Sequence, residues 1–229
     1  FSEAVETLYS TIWDKYADWF IESQKIYRNI PLLQTTLEMI LKMLHPFAPF
    51  VTEAIWQSLS WTNGLLITAK WPSRLKYDPI SAERFEALMS IVVEVRATLQ
   101  TLPSPTTGQK WTLLYGEDAL VDDNQLLTAK LSGVASVTSC EGQPRGLRLA
   151  LANHELYLDV PASVVSEHRH NLEERILAVG RELDTLNARM LNPNYVDKAP
   201  THLVEQTRNA ITEKSALIDR LKRELEVIQ

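Results

Sequence analysis

Cysteine and glycine are both scarce in this chain of 229 residues. The single cysteine, Cys140, excludes an internal disulfide and a cysteine-rich zinc site, and it favours a reducing compartment. Only seven glycines are present, which is typical of a protein built mainly from helices. The two shortages therefore exclude a small disulfide-stabilised fold and favour a helical one.

Long apolar runs and catalytic motifs are also missing. No stretch approaches the roughly 20 apolar residues of a membrane span, and no signal peptide opens the sequence. The sequence contains no glycine-rich phosphate loop, no nucleophile elbow and no His-Glu-x-x-His motif. His168 and His170 are two residues apart on a predicted helix and face different sides, which disfavours metal binding. We expect a cytoplasmic, monomeric protein with no membrane contact, no catalytic residue and no metal ligand.

The charge distribution restricts where a polyanion could bind. The net charge is −6, which argues against a protein that coats nucleic acid generally. Residues 1–80 carry 7 basic and 8 acidic groups, residues 81–162 carry 6 and 10, and residues 163–229 carry 10 and 11. The middle segment is thus the least suitable for a polyanion, while the two ends can present local basic patches.

The first hundred residues have the apolar periodicity of helices. A broad apolar stripe covers residues 1–27, and Pro31 is suited to the first turn of a second helix that His45-Pro46 ends. Further helices are predicted from Thr52 to Leu59 and from Ser81 to Leu102, with an extended apolar segment at 65–69. Tryptophan could stack on unpaired bases, but we expect most of the six to pack in the core: Trp13, Trp19, Trp56, Trp61, Trp71 and Trp111.

Beyond a proline-rich loop at 102–108, the periodicity changes to that of strands. A helix is predicted from Leu120 to Leu131, and Asn153-His154 is predicted to form a tight turn. The predicted strands are Trp111–Tyr115, Val134–Cys140, Leu147–Leu151 and Glu155–Val160. These elements predict a small α/β subdomain.

The last third of the chain has two heptad helices separated by about ten residues. Apolar residues recur with spacings of four and three before this segment and every seven residues after it, which predicts an antiparallel coiled-coil hairpin. Each limb would be roughly 40 Å long. The seam residues are Leu172, Ile176, Val179, Leu183, Leu186 and Met190 in the first limb, and Val204, Ile211, Ile218, Leu221, Leu225 and Ile228 in the second.

The connecting segment and the limbs contain the remaining features of interest. Tyr195 and Val196 can plug the open end, Pro200 is suited to start the return helix, and Asn192 and Asn194 tolerate left-handed turn geometry. Thr207 and Lys214 interrupt the second seam. Phosphate contact and helix solubility are equally good interpretations of four arginines: Arg169, Arg175, Arg181 and Arg189.

The segment between the limbs also carries a family resemblance. Leu191-Asn192, Tyr195-Val196, Lys198-Ala199-Pro200 and Val204-Glu205 resemble the coiled-coil turn of valyl-tRNA synthetases. Upstream, Ile12-Trp13-Asp14, Asp18 to Glu22 with Lys25, the segment Leu44 to Glu53 with Trp56, and Trp71-Pro72 resemble the anticodon-binding domain of class I synthetases for branched aliphatic amino acids. The resemblance covers the whole chain. An isoleucyl relative would often end in a cysteine-rich zinc module, which one cysteine cannot form.

The resemblance implies a mainly α fold, α+β overall, in three parts. These are a helical-bundle anticodon-binding domain at 1–102, a small α/β subdomain at 103–161 and an antiparallel two-helix coiled-coil arm at 162–229. The chain begins at Phe1 inside a helical pattern, which we interpret as a fragment of a longer protein. That protein would be a valine–tRNA ligase that uses ATP with Mg, whose ATP motifs and editing domain are absent from this sequence.

By this resemblance the fragment recognises the anticodon arm and outer corner of a valine-specific tRNA without chemistry of its own. Two rival interpretations are a coiled-coil module that binds another protein and a free-standing, synthetase-derived protein that has no catalytic half. The candidate tRNA contacts are Lys15, Lys25, Arg28 and Lys42 in the bundle, and Arg169, Arg175, Arg181, Arg189 and Lys198 in the arm.

Overall fold

The fold is taken from a computed structural model that describes residues 2–103, 110–140, 145–151 and 153–228. The chain separates into two compact units, Phe1–Glu83 and Arg84–Gln229. Helices dominate both units, and the second unit also contains a small sheet. The predicted mainly helical fold with a small α/β part is confirmed. The division into three parts at residues 102 and 161 stays a prediction.

The first unit opens with one continuous helical segment. It consists of α1 (Ser2–Ser10), a π-helix (Thr11–Ile21) and α2 (Glu22–Gln24), and the backbone stays right-handed helical at both junctions. Trp19 is buried, whereas α1 has no buried residue. The apolar stripe therefore predicted the helix correctly, but it gave no sign of the π winding.

Two further helices supply the small core of this unit. Helix α3 spans Ile30–Leu44, and Asn29 is its N-cap: the Asn29 side-chain oxygen accepts a hydrogen bond from the Leu32 amide at 3.1 Å. The helix has a proline in its first turn as predicted. Helix α4 (Pro49–Ser58) follows. The core of this pair is formed by Leu41, Trp56 and Leu66, with Leu37, Leu59 and Ala69 packed around it.

The segment at 65–69 is not extended as predicted. Leu66–Thr68 form a single turn of 3-10 helix. The Glu53 carboxylate accepts a hydrogen bond from the Leu66 amide at 3.0 Å, and the Leu66 side chain is buried. This contact joins residues 13 positions apart, so the short apolar run alone could not distinguish a strand from a turn.

The second unit is built around a four-stranded sheet with the order β2-β1-β4-β3. Helix α5 (Pro79–Thr101) precedes the sheet. β1 is parallel to β2 and antiparallel to β4, which is antiparallel to β3. The strands are β1 (Thr112–Tyr115), β2 (Val137–Ser139), β3 (Leu147–Arg148) and β4 (Leu156–Asp159). All four predicted strands exist but are shorter, and the predicted loop at 102–108 falls largely outside the described residues.

Between β1 and β2 the predicted helix at 120–131 is broken in two. The parts are α6 (Ala119–Asp123) and α7 (Gln125–Ser132). Asn124 leaves the helical region with a φ of −128°, and its side-chain amide donates to the Leu120 carbonyl at 2.8 Å. Asparagine competes with the helix by bonding to nearby backbone in this way, which explains the break.

The arm is an antiparallel pair of long helices joined by a short one. Its elements are α8 (Ala162–Met190), α9 (Pro193–Lys198) and α10 (Thr201–Val227). Every predicted seam residue is buried or half-buried, and the two long helices pack against each other. At 29 residues, α8 is about 43 Å long. The predicted hairpin is therefore present in the structure.

The tip of the arm is a short helical turn capped by an asparagine. Asn192 caps α9 by accepting a hydrogen bond from the Asn194 amide at 3.0 Å, and Asn194 lies inside α9. No described residue other than glycine has a positive φ, so neither asparagine adopts the left-handed geometry that it tolerates. A helical turn with an asparagine cap removes the need for it. Pro200 does precede the return helix.

Candidate nucleic-acid interface

The four candidate cations of the first unit differ in exposure and in the contacts that their charges already make. Lys15 and Arg28 are exposed and form no ion pair with any described residue. Lys25 is exposed and pairs with Glu22. Lys42 is half-buried, pairs with Glu38 at 3.4 Å, and places its Nζ 5.3 Å from the centre of the Trp56 ring. Lys42 therefore has a structural role in this unit, because its charge already interacts with the Glu38 carboxylate and the Trp56 ring.

The tryptophans are more exposed than the apolar stripes predicted. Trp19 and Trp56 are buried and Trp111 is half-buried, so the core expectation is wrong for Trp13, Trp61 and Trp71. Trp13 is 62% exposed and stacks on Tyr9, with the two rings nearly parallel and 6.2 Å apart. All three exposed tryptophans lie in the first unit, and exposed aromatic faces of this kind can stack on unpaired bases.

The five candidate cations of the arm also divide into those that contact a carboxylate or an aromatic ring and those that do not. Arg169 pairs with Glu173 at 3.3 Å, and the Arg189 guanidinium lies 5.6 Å from the centre of the Tyr195 ring. The other three, Arg175, Arg181 and Lys198, are exposed and have no ion-pair partner within the described ranges. These three are available for a phosphate without breaking an existing contact.

The second limb carries cations that the sequence analysis did not select. Arg208, Lys222 and Arg223 are exposed on α10. Lys214 reaches across the seam to Glu182, and Arg220 lies 3.6 Å from Glu94 on α5. Counting basic residues on both limbs would have found all five. The structure was needed to separate the paired ones, because each partner is distant in sequence.

The tip is held by hydrogen bonds that begin at Tyr195. Its hydroxyl lies 2.8 Å from Thr207 Oγ1 and donates to the Leu203 carbonyl at 3.1 Å. Thr207 is 5% exposed and also donates to that carbonyl at 2.9 Å. Both polar residues that interrupt the second seam therefore have a partner. Thr207 is hydrogen-bonded to Tyr195, and Lys214 pairs with Glu182. The predicted role of Tyr195 as a plug agrees with these contacts.

Replacing Tyr195 by Phe is expected to lower the stability of the arm by about 0.5 to 1.5 kcal/mol, since the hydroxyl is lost while the ring remains. Hydrogen exchange of the amides near Leu203 and Thr207 measures this loss. Tyr77→Phe is the matched control, because Tyr77 is 68% exposed and lies in the other unit. Unchanged exchange in Tyr195→Phe would mean that the hydroxyl does not hold the tip.

Polar groups beside the sheet have structural partners. The Tyr115 hydroxyl bonds to Asp122, which raises the pKa of Tyr115 and lowers that of Asp122. Asp118 caps α6 and lies 2.5 Å from His154 Nδ1. Among the described residues no group of three or more His, Cys, Asp or Glu is placed to hold a metal ion. None of the described helices combines the length and hydropathy that a membrane crossing requires.

Two family models match the sequence at its two ends. The model for the anticodon-binding domain of tRNA ligases matches residues 1–105. The model for the tRNA-binding arm of valyl-tRNA synthetases matches residues 165–229. The first range covers the helical bundle and the second covers both limbs of the hairpin, so each matched range corresponds to a set of described elements.

Curated relatives align along nearly the whole chain. The valine–tRNA ligase of Mycolicibacterium paratuberculosis is 30% identical over 246 residues, which cover 100% of this chain and 27% of the relative. That of Thermotoga maritima is 29% identical over 241 residues, with 99% and 28% covered. That of Carboxydothermus hydrogenoformans is 29% identical over 247 residues, with 96% and 27% covered. The chain thus spans about a quarter of the length of these relatives.

Proposed function

This chain belongs to the valine–tRNA ligase family, and from that premise we propose that it is the tRNA-binding part of an ATP-dependent enzyme that attaches valine to its tRNA. The observation that carries the proposal is the long hairpin, which bears exposed cations with no ion-pair partner in the described part of the chain. A helix pair about 40 Å long that uses its own seam internally offers only its outer faces to a partner. This disfavours a module that pairs its helices with another protein.

The proposed contacts are divided between the two ends of the chain. Residues 1–102 would face the anticodon arm of the tRNA, where the exposed Trp13, Trp61 and Trp71 offer surfaces for unpaired bases. The arm would lie along the outer corner of the tRNA and contact phosphates and shape more than bases. The acidic middle segment would stay away from the polyanion.

The nine candidate cations can be ranked by the contacts they already make. Lys15, Arg28, Arg175, Arg181 and Lys198 come first, because each is exposed and unpaired within the described residues. Lys25, Arg169 and Arg189 come second, since each would exchange a surface contact for a phosphate. Lys42 comes last, because its charge is half-buried between Glu38 and Trp56.

ATP and Mg belong to the proposed function of the whole protein. The sequence has none of the phosphate-binding motifs that hold ATP, so these residues do not fit the nucleotide and we assign no step of the ATP chemistry to them. Within the proposed enzyme, which we place in the cytoplasm, their task is to bind and orient the tRNA. They act as a monomer in this proposal.

The chain is expected to bind a tRNA with a valine anticodon, and the affinity is expected to fall as salt rises. Five phosphate contacts would weaken binding by roughly 100-fold or more between 50 and 200 mM salt, since each contact releases counterions. Fluorescence anisotropy across this salt range measures the effect. The matched control is the same tRNA with a different anticodon, which should lose only the contribution of the anticodon arm. Affinity that does not depend on salt would contradict the phosphate contacts.

A further inference from the structure

The root of the arm, where α8 and α10 meet α5, contains a group of charged side chains inside the second unit. Glu94 of α5 lies 3.6 Å from Arg220 of α10. Glu224, one turn further along α10, lies 3.1 Å from His168 of α8. His168 is only 1% exposed, and its Nδ1 has no hydrogen-bond partner among the residues that the structure describes. We call Glu94, His168, Arg220 and Glu224 the root cluster.

The root cluster borders a cavity of about 180 Å³. Three helices line it: α5 with Glu94, Thr98 and Thr101, α8 with Arg175, and α10 with Arg220 and Glu224. A water molecule occupies about 30 Å³ of liquid, so this space, which Leu217 and Leu221 also line, is large enough for several. Beside it, the pair of Glu94 and Arg220 provides a charged contact between α5 and α10.

An apolar contact on the sheet side complements the cavity. Val164 and Val165 at the start of α8, and Ile228 after α10, pack against the main core of the unit. Ile91 and Val95 of α5 belong to the same core. Both ends of the hairpin are thus anchored at one place, while Glu94 and Arg220 meet further along the arm. The apolar contact fixes the base of the hairpin, and the ion pair fixes a second point along it. The two contacts together determine the angle between the arm and α5.

The surroundings of Glu94 disfavour the charged form of its carboxyl group. Burial raises the pKa of Glu94, Arg220 opposes this rise and Glu224 adds to it, and the net pKa is above the ordinary value. A carboxyl with a raised pKa stabilises the folded state at low pH, and this contribution is lost as the pH rises through the folded value. Arg220 therefore offsets part of the cost of burying the charge of Glu94 at neutral pH.

We propose that Glu94 is a positioning residue, whose ion pair with Arg220 holds the arm at one angle to α5 and so sets where the cations of the arm meet the tRNA. Glu94 lies at the root and need not touch the tRNA itself. Glu94 is the member of the root cluster that does not belong to the arm, so it connects the arm to the rest of the unit. The effect on tRNA rests on the proposed function, whereas the effect on the angle does not.

The angle can be measured as a distance between two spin labels in the full chain. Ser90→Cys on α5 and Leu191→Cys at the tip provide exposed sites, and Cys140→Ser removes the native thiol. Glu94→Gln and Arg220→Gln are both expected to broaden or shift the distance distribution. Glu94→Gln is also expected to keep or raise the melting temperature at pH 7. Exchanging the charges, with Glu94→Arg and Arg220→Glu together, is expected to restore a narrow distribution.

Lys222→Gln is the matched control, since it removes one positive charge from the same part of α10 without a described ion pair. It should leave the distance unchanged. The tRNA affinity of Glu94→Gln is expected to fall roughly two- to fivefold, in proportion to the smaller fraction of correctly placed arms. An unchanged distance in Glu94→Gln and Arg220→Gln overturns the proposal. A shifted distance with unchanged affinity supports the positioning role and contradicts the tRNA contact of the arm.

Discussion

Shortening the arm is expected to weaken tRNA binding roughly tenfold or more at low salt. The variant deletes residues 181–213 and joins Gly180 to Lys214 by a short glycine-rich turn. Lys214 pairs with Glu182 across the seam, so Gly180 and Lys214 lie nearly opposite each other and a short turn can connect them. The deletion removes three candidate contacts, Arg181, Arg189 and Lys198, and a further exposed cation, Arg208.

The salt dependence of this variant identifies the cause of the loss. Each phosphate contact contributes about 0.7 to 0.9 to the slope of log affinity against log salt, so the loss of three or four contacts should decrease the slope by about 2 to 4. Titrations with tRNA from 50 to 200 mM salt measure it. An unchanged slope would mean that the outer half of the arm does not contact phosphate.

The deletion keeps the root of the arm intact for a physical reason. Val164, Val165 and Ile228 pack against the core of the second unit, so removal of the whole arm would uncover apolar surface and confuse binding with stability. The double variant Arg181→Gln with Lys198→Gln keeps the full length of the hairpin. It therefore separates the loss of charge from the change of shape. It removes two of the four cations, so it should reproduce about half of the change in slope while the helix content stays at the wild-type level.

Replacing Gly146 by Ala is expected to destabilise the second unit by about 2 to 4 kcal/mol. Gly146 has a φ of +109°, and a Cβ there would lie 1.9 Å from the Leu158 carbonyl oxygen. The next residue, Leu147, pairs with Leu158 and is 1% exposed. An alanine would therefore have to displace β3 from β4 in addition to its strained backbone. Thermal unfolding measures the effect, with a drop of roughly 5 to 15 °C.

Gly180→Ala is the matched control and should have the opposite sign. Gly180 lies inside α8, and a Cβ there would have no atom within 4 Å apart from the backbone of its own helix. An alanine should therefore stabilise the helix by about 0.5 to 1 kcal/mol, because glycine loses more backbone entropy on folding. Equal effects at the two positions would mean that the backbone at Gly146 is not constrained.

The arm is the part of the fold that sequence predicts best. Its seam repeats with a helical period over many turns, and a local repeat of this kind determines both the helix and its buried face. The turns at Pro31 and Pro200 were equally predictable, since proline restricts the backbone at its own position. The break at Asn124 and the turn at Leu66 were missed, because each depends on a side chain that bonds to the backbone instead of continuing the pattern.

The candidate interface was predicted only as a set of residues. Basic residues are visible in any sequence, but their availability depends on neighbours that are far away along the chain. Glu94 and Arg220 are 126 positions apart, and Lys214 and Glu182 are 32 apart. The exposure of Trp13, Trp61 and Trp71 was missed for the same reason, since an apolar stripe does not state how much of it a partner covers.

The sequence by itself determined the helical character, the antiparallel hairpin, the strands of the small sheet and the family, because these follow from periodicity and from short motifs. Only the tertiary structure decided which cations are free, how Thr207 and Lys214 are satisfied in the seam, and why Gly146 has no room for a side chain. Each of these depends on the distance between groups brought together by folding, and that distance is not encoded in any local stretch of residues.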